Sequence, residues 1–187
     1  MPQRATAPSI AAQVKAVLAW LAGQRSERNR EGMARFGIVS EEVYGISVAV
    51  LRAHAKVLGK NHALALALWE TGSHEARLLA AFVDEPALVT SAQMNVWCKA
   101  FDNWAVCDTV CLHLFDRSPL AYGKVESWAR RKPEFEKRAA FALPVSSSSV
   151  RGITYWVPSL SVISSLPLTS MRQTFIGSSA YSLFSLP

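Results

Sequence analysis

Residues 47–83 read SVAVLRAHAKVLGKNHALALALWETGSHEARLLAAFV, and this segment decides the fold. It holds three helical stretches, and each begins after a residue of a type that caps helix N-termini: Ser47, Asn61 and Ser73. Gly59 follows the first stretch and Gly72 follows the second, as expected for residues that end helices. Apolar residues of the first stretch recur at helical spacing, and the second stretch is very apolar. The segment therefore predicts three short helices joined by tight turns.

The same organisation extends over residues 1–143. Six further helices are predicted, at about residues 9–22, 26–36, 91–100, 103–115, 123–131 and 133–143. Sustained alternation of apolar and polar residues is scarce, and no Asn-Gly pair marks a hairpin. Short helices joined by short turns predict an all-α fold, and they favour a HEAT-like helical-repeat solenoid in which helix pairs stack.

A change in composition divides the chain near residue 143. Residues 1–143 carry 18 of the 20 basic residues and all 14 acidic residues. Residues 144–187 carry two arginines, no acid, thirteen serines and four prolines. This segment lacks the charge of a solvated face and does not continue the helical pattern. We expect residues 1–143 to form the helical domain and residues 144–187 to be a divergent, poorly packed tail of out-of-frame or alternatively spliced origin.

The charge of the chain suits a polyanionic partner. The formal net charge is +6, and each phosphate neutralised by Lys or Arg releases condensed counterions. Residues 1–20 do not form a secretory signal, and the longest apolar run, residues 63–69, is too short to cross a bilayer. The charge is compatible with a nucleic-acid partner but is also that of many ordinary proteins, and we expect no membrane segment.

The cysteines do not indicate a disulfide framework or a metal site. Cys107 and Cys111 lie four residues apart in a predicted helix, where disulfide geometry is difficult to reach, and Cys98 lies further upstream. Together with His113 they match no common zinc spacing. No glycine-rich phosphate loop follows a strand, so we expect no cofactor. A reducing cytoplasm is the expected location, and nothing indicates an obligate protein partner.

Several ordered sequence blocks resemble one protein family. They are MARFGI (33–38), YGISVAVLRAHAKVLGK (44–60), ALALWETGSHEARLLAAFV (65–83), FDNWAVCD (101–108) and SWARRKPEFEKRAAFAL (127–143). In this order and over residues 33–143, the blocks resemble the front part of the AlkD-type DNA alkylation repair family, the HEAT-like repeat alkylpurine DNA glycosylases.

The resemblance implies a fold, an activity and site residues. Members of this family are helical solenoids that curve around duplex DNA and excise cationic alkylated purines, on the nucleoid in a bacterial-type cell. By resemblance, Trp104 is the active-site aromatic residue, Asp108 the catalytic carboxylate and Arg138 a phosphate-contacting arginine. No residue matches the family's second cleft tryptophan, and Trp156 of the tail is not given that role.

The resemblance stops at Leu143, whereas family members continue with further helices. We therefore expect the C-terminal part to be missing or replaced in this chain. A truncated solenoid would expose apolar surface and favour aggregation. Its excision activity would be weak or lost even with Asp108 in place.

The chemistry of Trp104 and Asp108 is consistent with base release. The two residues are one turn apart on a predicted helix, and their face continues through Cys111, Leu112 and Phe115. A carboxylate on an apolar face is costly unless it is paired. It could stabilise an oxocarbenium-like sugar and position water, while the indole faces a cationic base. In the alternative interpretation Asp108 pairs with a core arginine and Trp104 only packs; an Asp108 held in an internal ion pair would argue against the enzyme.

The densest basic stretch of the chain surrounds Arg138. It includes Arg130, Arg131 and Lys137, and we predict that these four side chains bind DNA phosphates. In the alternative interpretation they form a solvated face interleaved with glutamates. His74 and Glu75 at a helix start are interpreted as capping and packing residues. Three tryptophans are interpreted as core anchors: Trp69, Trp97 and Trp128.

Three functions remain open at this point. The first is hydrolytic release of N3- or N7-alkylated purines from duplex DNA. The second is DNA binding by a helical repeat without catalysis, and the third is a truncated product with no function of its own.

Overall fold

The computed structural model describes residues 8–38 and 42–146, with side chains as far as residue 143. This part of the chain contains nine α-helices and no strand. They are α1 (Ile10–Gly23), α2 (Glu27–Ala34), α3 (Val48–Leu58), α4 (His62–Glu70), α5 (His74–Val83), α6 (Ser91–Lys99), α7 (Trp104–His113), α8 (Ala121–Ala129) and α9 (Glu134–Ser146). A short 3-10 turn, Phe115–Arg117, follows α7. The all-α prediction is confirmed.

Local capping explains where most of these helices begin. Six of them start with a side chain that accepts a hydrogen bond from a first-turn amide: Ser9, Ser26, Ser47, Asn61, Thr90 and Asn103. Ser73 occupies the cap position of α5 but does not cap it, because its hydroxyl donates to the carbonyl oxygen of Glu42 at 3.3 Å. The start predicted for α8 at Gly123 is two residues late, since the helix begins at Ala121 and includes this glycine.

Apart from α2, the helices of the described residues pack in two layers. One layer contains α3, α5, α7 and α9, because α5 packs against both α3 and α7, and α7 packs against α9. The other layer contains α1, α4, α6 and α8; α1 and α4 pack against α5, while α6 and α8 pack against α9. Consecutive helices that stack in this way form the helical-repeat architecture predicted from the sequence.

Aromatic side chains fill the interior between the helices. The rings of Trp69 and Trp97 are stacked with their centroids 4.0 Å apart, and Phe115 contacts both Trp97 and Trp128. All three tryptophans are buried. A fully buried aromatic side chain stabilises the fold by about 3 kcal/mol through the hydrophobic effect. The prediction that these tryptophans are core residues is therefore confirmed.

The predicted boundary at residue 143 falls inside a helix. The backbone of α9 continues to Ser146, three residues beyond Leu143. The rest of the predicted tail, residues 147–187, lies outside the described residues. Within residues 8–38 and 42–146, no helix is both long enough and apolar enough to span a bilayer.

Candidate functional site

The close approach of α7 and α9 creates the candidate site. The thiol of Cys107 donates to the carbonyl oxygen of Phe135 at 3.6 Å, and the thiol of Cys111 donates to that of Ala139 at 3.9 Å. Cysteine and alanine are small, so the two helix backbones can lie near each other at this seam. The outward side of the seam consequently places a residue of α7 opposite a residue of α9.

These two residues are Asp108 and Arg138. Arg138 donates from Nε to Oδ1 of Asp108 at 2.7 Å and from Nη2 to Oδ2 at 2.6 Å. The side chain of Asp108 is 21% exposed and that of Arg138 is 19% exposed. The hydrogen bonds to Asp108 raise the pKa of Arg138 above its ordinary value, against the opposing effect of burial. A parallel, two-point contact of this kind fixes the orientation of both groups.

The ion pair changes the argument made from the sequence. A half-buried carboxylate no longer needs a catalytic reason, because the guanidinium of Arg138 compensates for its desolvation. This pairing is what the alternative interpretation expected of Asp108. However, the partner is itself a predicted site residue, and both groups remain open to solvent on one side. The pair is therefore a partly exposed ion pair at the surface of the helical stack.

Trp104 lies at the N-terminus of α7, one turn before Asp108. Its indole Nε1 donates to the carbonyl oxygen of Phe36 at 3.1 Å. The half-buried ring packs against a small cluster that includes Ile38, Val43 and Met33. Trp104 thus joins the chain after α2 to α7, and its side chain is partly exposed.

The other predicted DNA-binding residues, Arg130, Arg131 and Lys137, lie in different surroundings. Arg131 donates to Glu136 at 2.5 Å and to Asn95 at 3.1 Å, and its guanidinium lies over the ring of Trp128. Arg131 therefore holds α6, α8 and α9 together. Arg130 is highly exposed and pairs with Glu126 one turn earlier on α8, whereas Lys137 is half-buried beside Arg138.

Glu75 has a larger role in the architecture than helix capping. Its fully buried carboxylate accepts hydrogen bonds from the backbone amides of Tyr44, Gly45 and Ile46 at 3.0, 2.7 and 3.2 Å. This cradle fixes the loop before α3 against the start of α5. The sequence places Glu75 correctly at a helix start, but its partners lie about 30 residues away in the chain. No local signal could have found them.

Metal ligands are not clustered in the part of the chain that the structure describes. Within residues 8–38 and 42–143, no group of three or more His, Cys, Asp or Glu side chains is arranged to hold a metal ion. Burial raises the pKa of the Cys98 thiol to about 12.

The stacked helices of the described residues define an all-α helical-repeat protein of the HEAT-like type. Residues 17–147 match the family model described as DNA alkylation repair enzyme, so the chain belongs to this family. The search of curated proteins found no match.

This chain is similar to a solved structure from a related group of proteins. It is described as "A new family of proteins related to the HEAT-like repeat DNA glycosylases with affinity for branched DNA structures". The TM-score is 0.65 and the sequence identity 21%, over 70% of this chain and 55% of that one. This similarity supports the fold. The chain spans about half the length of the protein it matches.

Proposed function

We propose that this chain acts in DNA repair by binding duplex DNA that carries alkylated bases, with the Asp108–Arg138 pair at the centre of the contact. The observation that carries the proposal is the pair itself: α7 and α9 bring an acid and an arginine together at the surface, one turn from an indole. Membership of the alkylation repair family supports the choice of partner.

Arg138 has enough N–H donors to contact both Asp108 and a DNA phosphate. The contact with Asp108 uses one N–H from Nε and one from Nη2. A guanidinium carries five N–H groups, so Nη1 can donate to a phosphate oxygen while the ion pair stays intact. Arg138 would then hold Asp108 at a constant distance from the strand that it grips.

Membership of the alkylation repair family, and not the ion pair of Asp108, favours base release as the reaction. As a cationic alkylpurine departs, positive charge develops on the sugar, and the Asp108 carboxylate would stabilise it and orient the attacking water. Trp104 would present the exposed part of its indole to the cationic base. An alkylated purine is a good leaving group, so the mechanism requires no strong general acid.

A base-release assay tests the catalytic half of the proposal. Duplex DNA containing N7-methylguanine is incubated with the protein, abasic sites are cleaved, and the products are separated on a gel. Asp108→Asn should lower the rate of abasic-site formation by about 100-fold, because the positive charge that develops on the sugar loses its counter-ion. Glu126→Gln, which removes an exposed acid from α8, is the matched control and should retain the wild-type rate. Equal rates for Asp108→Asn and the wild type would refute the catalytic assignment.

A salt titration tests the binding half. Arg138→Gln should weaken duplex binding and reduce the slope of log K against log salt by about one unit, since one phosphate contact is lost. Lys15→Gln is the control, because Lys15 is an exposed lysine of α1 that is not among the predicted DNA-binding residues. Duplex affinity that does not change between about 50 and 200 mM salt would exclude a phosphate-based contact.

DNA binding without base release is the second candidate function. Two observations support it. Both oxygens of the Asp108 carboxylate already accept hydrogen bonds from Arg138. The similar solved structure is described as having affinity for branched DNA. This function predicts tighter binding of a four-way junction than of a linear duplex of equal length, with no abasic sites formed. Release of N7-methylguanine that depends on Asp108 would exclude it.

A further inference from the structure

A basic surface lies where α5 and α7 end. It consists of Arg52 of α3, Lys60 two residues after α3, and Arg117 of the 3-10 turn, and all three residues are exposed. The half-buried side chains of Phe82 and His113 lie among them. None of these residues belongs to the ion pair between α7 and α9.

Arg52 is held in place by two neutral groups. Its Nη2 donates to Nε2 of His113, and its guanidinium lies over the ring of Phe82, 5.5 Å from the centroid. The rings of Phe82 and His113 are themselves in contact, with their centroids 5.2 Å apart. A cation–π contact and a hydrogen bond to a neutral acceptor restrict the side chain without neutralising its charge. Arg52 therefore presents most of its N–H groups to solvent in a fixed orientation.

His113 is the neutral acceptor in this arrangement. Burial, together with the charges of Arg52 and Arg117, lowers the pKa of His113 to about 4. The imidazole is uncharged at neutral pH, so Nε2 can accept from Arg52 while the ring proton lies on Nδ1. Arg117 is thus close enough for its charge to act on the same ring. The residue before it, Asp116, is half-buried, and one of its carboxylate oxygens is shielded from solvent.

The positive charge of this surface is only partly compensated. Among the described residues, neither Arg52 nor Arg117 forms an ion pair. Lys60 donates to two carbonyl oxygens at the C-terminus of α5, at 2.9 and 2.6 Å. Burial and the charge of Arg117 lower the pKa of Lys60, whereas Asp84 and Glu85 act in the opposite direction. Like charges held near each other repel, and an anion bound between them relieves this repulsion.

We infer that Arg52 and Arg117 bind a second phosphate of the DNA backbone, apart from the one proposed for Arg138, and that His113 positions Arg52 for this contact. The inference deepens the proposed function and rests on it for the ligand, which is the same duplex. Helix α7 joins the two contacts, because His113 follows Asp108 by roughly 7.5 Å along the helix axis. Successive phosphates of one strand advance by about 3.4 Å, so one duplex offers phosphates at both positions.

A salt titration of duplex binding by the full-length chain, followed by fluorescence anisotropy, tests the charge contact. Arg52→Gln should reduce the slope of log K against log salt by about one unit and weaken binding about eightfold at about 100 mM salt. Arg117→Gln should act in the same direction. Lys15→Gln, at an exposed lysine of α1, is the control and should retain the wild-type slope. An unchanged slope and affinity for Arg52→Gln would overturn the inference.

Arg52→Lys separates charge from orientation. Lysine keeps the positive charge but lacks the planar group that lies over Phe82 and donates to His113. The salt slope should therefore match the wild type, while the affinity falls roughly two- to fivefold because the cation is no longer held in place. A slope as low as that of Arg52→Gln would contradict a contact based on charge.

Two variants of His113 test its positioning role without any change of charge. His113→Leu removes the acceptor for Arg52 and should weaken duplex binding roughly two- to fivefold at an unchanged salt slope. His113→Gln retains a side-chain oxygen that can accept from Arg52 and should restore most of the affinity. Wild-type affinity of His113→Leu would overturn the positioning role.

The two arginine contacts are separated by comparing their variants in the same titration. If Arg138→Gln weakens duplex binding and Arg52→Gln does not, the second contact is overturned and the proposed function stands. If Arg52→Gln weakens binding and Arg138→Gln does not, the second contact is supported, and the Asp108–Arg138 pair loses its place at the centre of the DNA contact. A wild-type chain that does not bind duplex would refute both.

Discussion

Replacing Glu75 by glutamine should destabilise this protein far more than its conservative chemistry suggests. Glu75 is fully buried, and Oε1 accepts from the amides of Gly45 and Ile46 while Oε2 accepts from that of Tyr44. A glutamine carbonyl placed at Oε1 keeps two of these bonds without their charge. Its amide group then faces the N–H of Tyr44, and two donors meet in a buried setting.

The size of the effect follows from these three contacts. Loss of charge assistance costs about 1 kcal/mol for each of the two retained bonds, and the unsatisfied amide costs about 2 kcal/mol. We therefore expect a decrease of about 3–4 kcal/mol in the free energy of unfolding. Because domains are stable by only about 5–15 kcal/mol, this is a large fraction of the total.

Urea denaturation, followed by circular dichroism and tryptophan fluorescence, measures this change. With a slope near 2 kcal/mol per molar urea, the midpoint should fall by roughly 1.5–2 M. Glu70→Gln is the matched control, because Glu70 is an exposed acid at the end of α4. If the two variants had midpoints within about 0.3 M of each other, the reasoning that Glu75 anchors the loop through buried charge would be refuted.

Three further predictions concern other parts of the structure. A double-mutant cycle of Asp108→Asn and Arg138→Gln, measured by urea denaturation, should give a coupling energy of about 1–2 kcal/mol. This value lies between those of exposed and fully buried ion pairs, because the pair is partly buried. Additive effects of the two substitutions would exclude a stable ion pair. Cys98, with a pKa raised to about 12 by burial, should react with iodoacetamide at pH 8 at least about 100-fold more slowly in the native protein than in urea, and equal rates would place it at the surface. Gly45→Ala should lower the free energy of unfolding by about 3 kcal/mol or more, because φ is +78° and the added Cβ would lie 2.3 Å from the backbone oxygen of Ser26. Gly37→Ala, at φ +76° but with open space around it, should lower it by only about 1 kcal/mol. Equal decreases would show that the close approach at Gly45 does not determine the effect.

The positions of the helices were largely predictable because the signals that define them are local. A cap residue acts on amides two or three positions away, and apolar spacing is read within one helix. Ser47 and Asn61 accept the first-turn hydrogen bonds that their positions predict. The exceptions have physical reasons as well. Ser73 has a distant carbonyl as its hydrogen-bond partner, and Gly123 is tolerated inside a helix.

The candidate site was predictable only as a set of residues. The resemblance to the alkylation repair family identified Trp104, Asp108 and Arg138. It gave no information on the hydrogen bonds between Asp108 and Arg138. The basic stretch around Arg138 added Arg131 to the predicted DNA-binding residues, and the structure shows that its side chain also joins three helices. The catalytic and phosphate-contacting roles of these residues stay predictions until the variants above are measured.

By itself, the sequence determined an all-α chain of short capped helices and its membership of a repair family, because both depend on residues close together in the chain. Tertiary structure alone decided that Asp108 meets Arg138 across 30 residues and that Glu75 holds the loop before α3. These encounters depend on how whole helices pack. The register of one helix against another is a collective result of core packing, and no short segment encodes it.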